Sequence, residues 1–189
     1  MQTSPGISPP AGSASRQTKK HITTALALLV LLSVPEIVVV YLHRAADQPR
    51  LHNRDVIPQV TLRGLQSDSL SFSALSGRRA ALLFFNVTCT RCQREFLNLD
   101  RLSPLFKDKL TVIAVSLSDL ESTRYFVETN QLALTTLVDD RLEVQRAFGI
   151  GEVPVLVFVN SDGRIREQII GEQSLPALRK LLGEFAGKD

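Results

Sequence analysis

The chain has 189 residues, 44% of them hydrophobic, enough for one ordinary domain with its own core plus an appendage. Its formal net charge of +3 is concentrated at the front, where Arg16, Lys19, Lys20 and Arg44 are opposed only by Glu36 and Asp47, leaving 18 basic and 17 acidic side chains from Arg50 onward. A nearly neutral body without Trp excludes a basic, base-stacking surface for nucleic acid, and two cysteines three positions apart exclude a disulfide scaffold.

Residues 1–20 are rich in Ser, Pro, Gly, Gln and Thr and end in a basic cluster. That composition cannot bury enough apolar surface to order itself, so it reads as a disordered cytoplasmic N-terminus. Residues 22–42 are mostly apolar, close to the ~20 needed to cross a bilayer, and 21–43 read as one transmembrane helix. Pro35 is tolerated there; Glu36 carries a cost unless it is protonated, paired or near an interface. A cleaved secretory signal is the competing reading, but the basic region is long, and Arg44-Ala45-Ala46 lacks small residues at both positions of an Ala-x-Ala site. Basic residues ahead of the span hold the N-terminus in the cytoplasm. The remainder then lies on the outer face of a bacterial-type cytoplasmic membrane. Residues 44–57 are polar, carry Pro49 and read as a linker.

Over 58–189 strands and helices alternate. Short strands are expected at 60–63 and 70–72. Residues 80–86, AALLFFN, form a continuous apolar run suited to a strand buried on both faces. A helix follows over 90–105, with Phe96, Leu99, Leu102 and Leu105 at helical spacing. A second buried strand is expected at 110–117, a helix at 120–129 and a short strand at 134–138. Asp140 is placed to cap a short helix running to about Phe148. Strands at 154–160 and 165–170 flank Ser161-Asp162-Gly163, a hairpin turn signal. A terminal helix starts at Ser174, with Pro176 in its first turn. This order predicts a mixed α/β sheet with helices on both faces.

Cys89 and Cys92 fall where the buried strand at 80–86 gives way to a helix. Cys89 then receives the helix N-terminus, whose free amide hydrogens and positive dipole end stabilise a thiolate. Arg91, between the sulfurs, adds positive charge if its side chain stays close. Cys92 lies one turn in, near enough to close a small disulfide but less exposed. The expected roles are attack by Cys89 and resolution of the mixed disulfide by Cys92. C-x-x-C alone also arises in chains with two ordinary buried thiols; the strand-to-helix context favours the redox reading. The only histidines, His21, His43 and His52, lie far upstream, so no metal site or bound cofactor is expected.

NVTCTRCQREF, followed about sixty residues later by GEVPVLVFVNSDGRI, resembles the thioredoxin superfamily, and more narrowly the TlpA/ResA-type membrane-anchored redoxins of bacteria, including the cytochrome c maturation branch. The resemblance covers roughly 55–187. It implies a thioredoxin-like fold with a central mixed sheet flanked by helices, preceded by one N-terminal transmembrane helix. It implies that Val153–Pro154 is a cis bond packed against the redox pair, forming the edge where a partner chain binds. It also implies that Glu95, three residues after Cys92, sits beside the cysteines and tunes their protonation; from the residues alone, a solvated helix glutamate is equally expected. Residues 119–149 match an insertion read as scaffold. The implied partners are exported protein thiols and disulfides and a membrane electron donor, and the branch points toward a reductase.

Thr88 and Arg91 stand where most family members have Trp and Pro, and Leu83 where thioredoxins proper carry a buried aspartate. These departures favour a dedicated enzyme over a general reductase. Two other functions fit the residues less well. A peroxiredoxin-type thiol peroxidase needs a threonine two residues further from the cysteine than Thr88, and an upstream proline that Leu82 does not supply. A Cu(I)-binding assembly factor of this fold uses C-x-x-x-C with a distant histidine, although two thiolates do suit Cu(I).

Overall fold

Ala80–Phe85 is fully buried, and its alternating side chains feed two separate cores. Ala81, Leu83 and Phe85 point into one; Ala80, Leu82 and Phe84 point into the other. Such a strand has no solvent face, which is why it reads as an unbroken apolar run rather than an alternating one.

The computed structural model describes Asn53, residues 55–65 and residues 69–187. The expected disordered segment, the membrane span and most of the linker lie outside the described residues, among which no helix is long and apolar enough to cross a membrane. The strands are β1 Thr61–Gly64, β2 Leu70–Ser71, β3 Ala80–Phe85, β4 Thr111–Ser116, β5 Thr136–Val138, β6 Val155–Val159 and β7 Ile165–Ile170. The helices are α1 Thr90–Leu102, α2 Leu120–Thr129, α3 Glu143–Phe148 and α4 Leu175–Gly187. The sheet runs β2-β1-β5-β4-β3-β6-β7. Strands β3, β4 and β5 are parallel, whereas β6 is antiparallel to both β3 and β7, giving the mixed sheet.

Helix α1 buries Cys92, Phe96, Leu99 and Leu102 along one stripe, against the same core as Phe126 of α2 and Leu178 and Leu182 of α4. Each fully buried apolar side chain contributes roughly 1.5–3 kcal/mol. On the opposite face, Val144 and Phe148 of α3 pack with Phe72, Leu75 and Ile57.

Several boundaries differ from expectation. The helix after the cysteines stops at Leu102 and continues as a 3-10 turn, Ser103–Leu105. Pro104 lacks an N–H, and its ring collides with the carbonyl four residues back, so the α-ladder cannot pass through it. Leu105, at the end of that turn, is 60% exposed. Leu142 takes the N-cap position of α3, and the carboxylate that satisfies its first turn is that of Asp139, not Asp140: it accepts the Glu143 and Gln145 amide hydrogens at 2.8 and 2.7 Å. Phe72 leaves the expected strand to begin a 3-10 turn, Phe72–Leu75, capped by the Ser71 hydroxyl. Val56 and Ile57, at the end of the expected linker, already belong to the domain: Val56 pairs with Arg164, and Ile57 is buried.

Candidate active site

Strand β3 ends at Phe85, and Asn86 organises the four residues before α1. Its side-chain oxygen accepts the Thr88 amide and hydroxyl hydrogens, at 2.9 and 2.7 Å. Its carbonyl accepts the Cys89 amide hydrogen at 3.1 Å. Ser118, after β4, accepts the Val87 amide hydrogen at 3.1 Å. The turn is thus held from both neighbouring strands before the first cysteine is reached.

Cys89 occupies the N-cap of α1 in extended conformation, and its Sγ accepts the Cys92 amide hydrogen at 3.2 Å. A sulfur in that position meets an orphan helix amide and the positive end of the dipole, both of which favour its anionic form once reduced. Cys89 and Cys92 form a disulfide, with Cα atoms 5.2 Å apart. Cys92 is completely buried while Cys89 is half-buried, so an incoming sulfur meets Cys89 first.

The other wall comes from the residues before β6. Val153–Pro154 is cis, in agreement with the resemblance. The Val153 carbonyl oxygen lies 4.0 Å from Cys89 Sγ. Pro154 is buried, and its carbonyl accepts the Gly171 amide hydrogen at 2.8 Å, tying this wall to the end of β7. Beside Val153 lies a depression of about 270 Å³, lined by Asn86, Leu117, Leu142, Gln145, Gly151 and Glu152. Leu142 and Gln145 come from the segment expected to be scaffold alone. Leu142 adopts a left-handed conformation, φ 57°, under the grip of Asp139. No local sequence signal marks a leucine for that backbone region.

Glu95 resolves against the solvated alternative. It is completely buried on the Cys92 side of α1, at the i+3 position. Its Oε2 accepts the Gln173 amide hydrogen at 3.3 Å, and Oε1 is buried without a hydrogen-bond partner. Burial pushes its pKa up to about 7; the Gln173 amide opposes the shift, and the Glu172 carboxylate adds to it. Arg91 is exposed, and its charge acts on Glu172, whose pKa it helps to lower behind the larger effect of Arg94. The expected residues Cys89, Cys92, Glu95, Val153 and Pro154 are thus brought to one end of the sheet. Arg94, Glu172 and Gln173 are additions that the sequence reading missed. Among the described residues no group of three or more His, Cys, Asp or Glu is disposed to hold a metal ion.

Residues 54–168 match the family model described as AhpC/TSA family. The chain is 24% identical over 166 residues to the thiol-disulfide oxidoreductase ResA of Bacillus thuringiensis (strain Al Hakam), a match spanning 87% of this chain and 96% of the relative. Its fold superposes on the thioredoxin domain of a thiol-disulfide oxidoreductase from Bacteroides vulgatus with TM-score 0.64, at 22% identity, covering 72% of this chain and 99% of that one. It superposes on StoA from Bacillus subtilis with TM-score 0.59, at 18% identity, covering 66% and 96%. With a thioredoxin-like sheet, a Cys-x-x-Cys pair at the first helix and this match over more than half its length, the chain belongs to the AhpC/TSA family as a redoxin of the TlpA/ResA type.

Proposed function

We propose that this protein is a thiol–disulfide oxidoreductase that reduces disulfides of exported proteins, tethered by residues 21–43 to the outer face of the cytoplasmic membrane. The observation that carries the reading is the half-buried Cys89 sulfur at the N-cap of α1, facing the Val153 carbonyl at 4.0 Å, with buried Cys92 directly behind it. The pair is itself the redox group, so the chemistry calls for no cofactor.

In the reduced enzyme the Cys89 thiolate attacks one sulfur of a client disulfide. The client S–S bond breaks, and its second sulfur leaves as a thiolate that takes up a proton. Cys92 gives up its proton and attacks Cys89 Sγ, releasing the first client sulfur as a thiolate, which is protonated in turn. Two electrons have passed to the client, and the enzyme holds the Cys89–Cys92 disulfide. A membrane dithiol donor restores it by the same exchange in reverse order. Val153, with Pro154 behind it, is the edge along which the client backbone lies. Glu95 is the buried group placed to exchange protons near Cys92, and Arg91 contributes positive charge at the mouth. Tethering raises the local concentration of donor and client, which is where the membrane span has its value.

Equilibrating the protein with dithiothreitol buffers and quantifying the oxidised fraction tests the direction. A reduction potential near or below roughly −250 mV supports a reductase, and a value near about −120 mV reverses the direction of electron flow. If the Cys89–Cys92 disulfide never exchanges with dithiothreitol, the oxidoreductase assignment falls.

A further inference from the structure

The loop between β7 and α4 is fastened to both walls of the redox site. Gly171, at φ 87°, donates its amide hydrogen to the Pro154 carbonyl at 2.8 Å. Glu172 takes a two-pronged bond from Arg94, whose Nε and Nη2 each lie 2.6 Å from a carboxylate oxygen. Gln173 donates its amide hydrogen to Glu95 Oε2, and its side chain folds back onto the Gly171 carbonyl at 3.1 Å. Arg94 and Glu95 are consecutive on α1, as are Glu172 and Gln173 on the loop. Two parallel cross-links therefore join the helix to the loop, the outer one partly exposed and the inner one part-buried, ending on the fully buried Glu95.

We infer that the Arg94–Glu172 ion pair is a latch that holds this loop over Glu95, keeps the carboxyl dry, and thereby sets the pH at which the Cys89–Cys92 pair exchanges. The inner hydrogen bond is long, at 3.3 Å, and leaves Oε1 unsatisfied, so it is a weak clamp by itself. The planar guanidinium fork is the stronger fastening, because charge-assisted paired bonds are short and directional. Glu172 of the loop is the charged group whose field reaches Glu95. On α1, Arg91 and Arg94 are exposed and act on Glu172; β3 and β6 have no titratable side chain, and Arg179 and Lys180 of α4 are exposed. The inference rests on the oxidoreductase reading for its redox half only.

Latch and simple electrostatics predict opposite signs. If Arg94 acts only through its charge, its loss leaves Glu172 unneutralised beside Glu95, and Glu95 holds its proton more tightly. If it acts as a latch, its loss frees the loop, water reaches the carboxyl, and the proton is held less tightly. The experiment follows side-chain carboxyl carbon shifts of the oxidised full chain through a pH titration, for the unaltered protein, Arg94→Gln and Arg94→Lys. The Glu95 midpoint, about 7 in the unaltered protein, should fall toward the ordinary glutamate range near ~4.3 in Arg94→Gln. It should fall part of the way in Arg94→Lys, which keeps the charge without the fork. In the reduced protein, the inflection that Glu95 imposes on the pH profile of Cys89 alkylation should move down by the same amount. A midpoint that rises or stays overturns the latch, as does a fallen midpoint with an unmoved alkylation profile. The carboxyl titration needs no disulfide exchange, so a chain that fails to exchange at all would sink the oxidoreductase reading separately.

Discussion

The Val153 carbonyl oxygen and Cys89 Sγ lie 4.0 Å apart across 64 residues of chain. One lies just before the strand that doubles back beside β3, the other caps the helix that follows β3, so the antiparallel pairing of β3 with β6 brings them together. Between them they leave the Cys89 sulfur accessible, with the Val153 carbonyl alongside it.

That asymmetry makes the two cysteines non-equivalent. Cys92→Ala should accumulate a mixed disulfide between Cys89 and a client or a model disulfide peptide, because the resolving thiol is gone. Cys89→Ala should form none, and its exchange rate should drop to background. Non-reducing electrophoresis and mass spectrometry of the trapped species check both variants.

Burial of Glu95 gives stability a pH dependence of known sign. Its pKa rises on folding from about 4.5 to about 7, so the folded state binds the proton more tightly than the unfolded chain does. The stabilisation from this group is complete below about pH 4.5 and is lost as pH rises through 7. The urea midpoint of the oxidised protein should therefore be lower at pH 8 than at pH 5 through this group. Glu95→Gln should flatten that part of the dependence, and an equal slope in the variant would rule out the assignment.

Asp139 is only 2% exposed and carries two amide hydrogen bonds at the start of α3. Asp139→Ala should cost about 2 kcal/mol, the upper end for a lost helix cap, because the freed donors lie in a part-buried turn. Asp140→Ala should change stability by less than about 0.5 kcal/mol, as an exposed surface substitution. Denaturant midpoints of the two variants decide which aspartate supplies the capping carboxylate.

Phe96 and Leu105 are both apolar, yet their substitutions should differ sharply. Phe96 is fully buried between Phe85 and Phe126, with ring centroids at 4.9 and 5.6 Å. Phe96→Ala should cost roughly 3–5 kcal/mol through lost burial and the cavity left behind. Leu105→Ala should be nearly neutral, within about 0.5 kcal/mol, because that residue, in the 3-10 turn after α1, is exposed to solvent. Thermal or urea unfolding measures the contrast.

What the sequence by itself determined was whatever rests on local pattern. The unbroken run at 80–85 announced a strand buried on both faces, and Phe96, Leu99 and Leu102 announced the buried side of α1. Ser161-Asp162-Gly163 announced the hairpin, and the strand-to-helix junction placed Cys89 at a helix start. Each of these depends on residues within a turn or two of one another, where period and turn chemistry act directly. The tertiary structure decided what depends on distant segments. It buried Glu95, a residue whose charge argues for solvent, because the loop at 171–173 folds over it from 78 positions away. It put the capping carboxylate of α3 on Asp139, since that carboxylate at the end of β5 is directed inward, and it brought Leu142 and Gln145 of the insertion to the rim beside Val153. The fork between Arg94 and Glu172 belongs with these, because two charged residues in separate elements carry no mark of their pairing until the sheet sets the spacing between helix and loop.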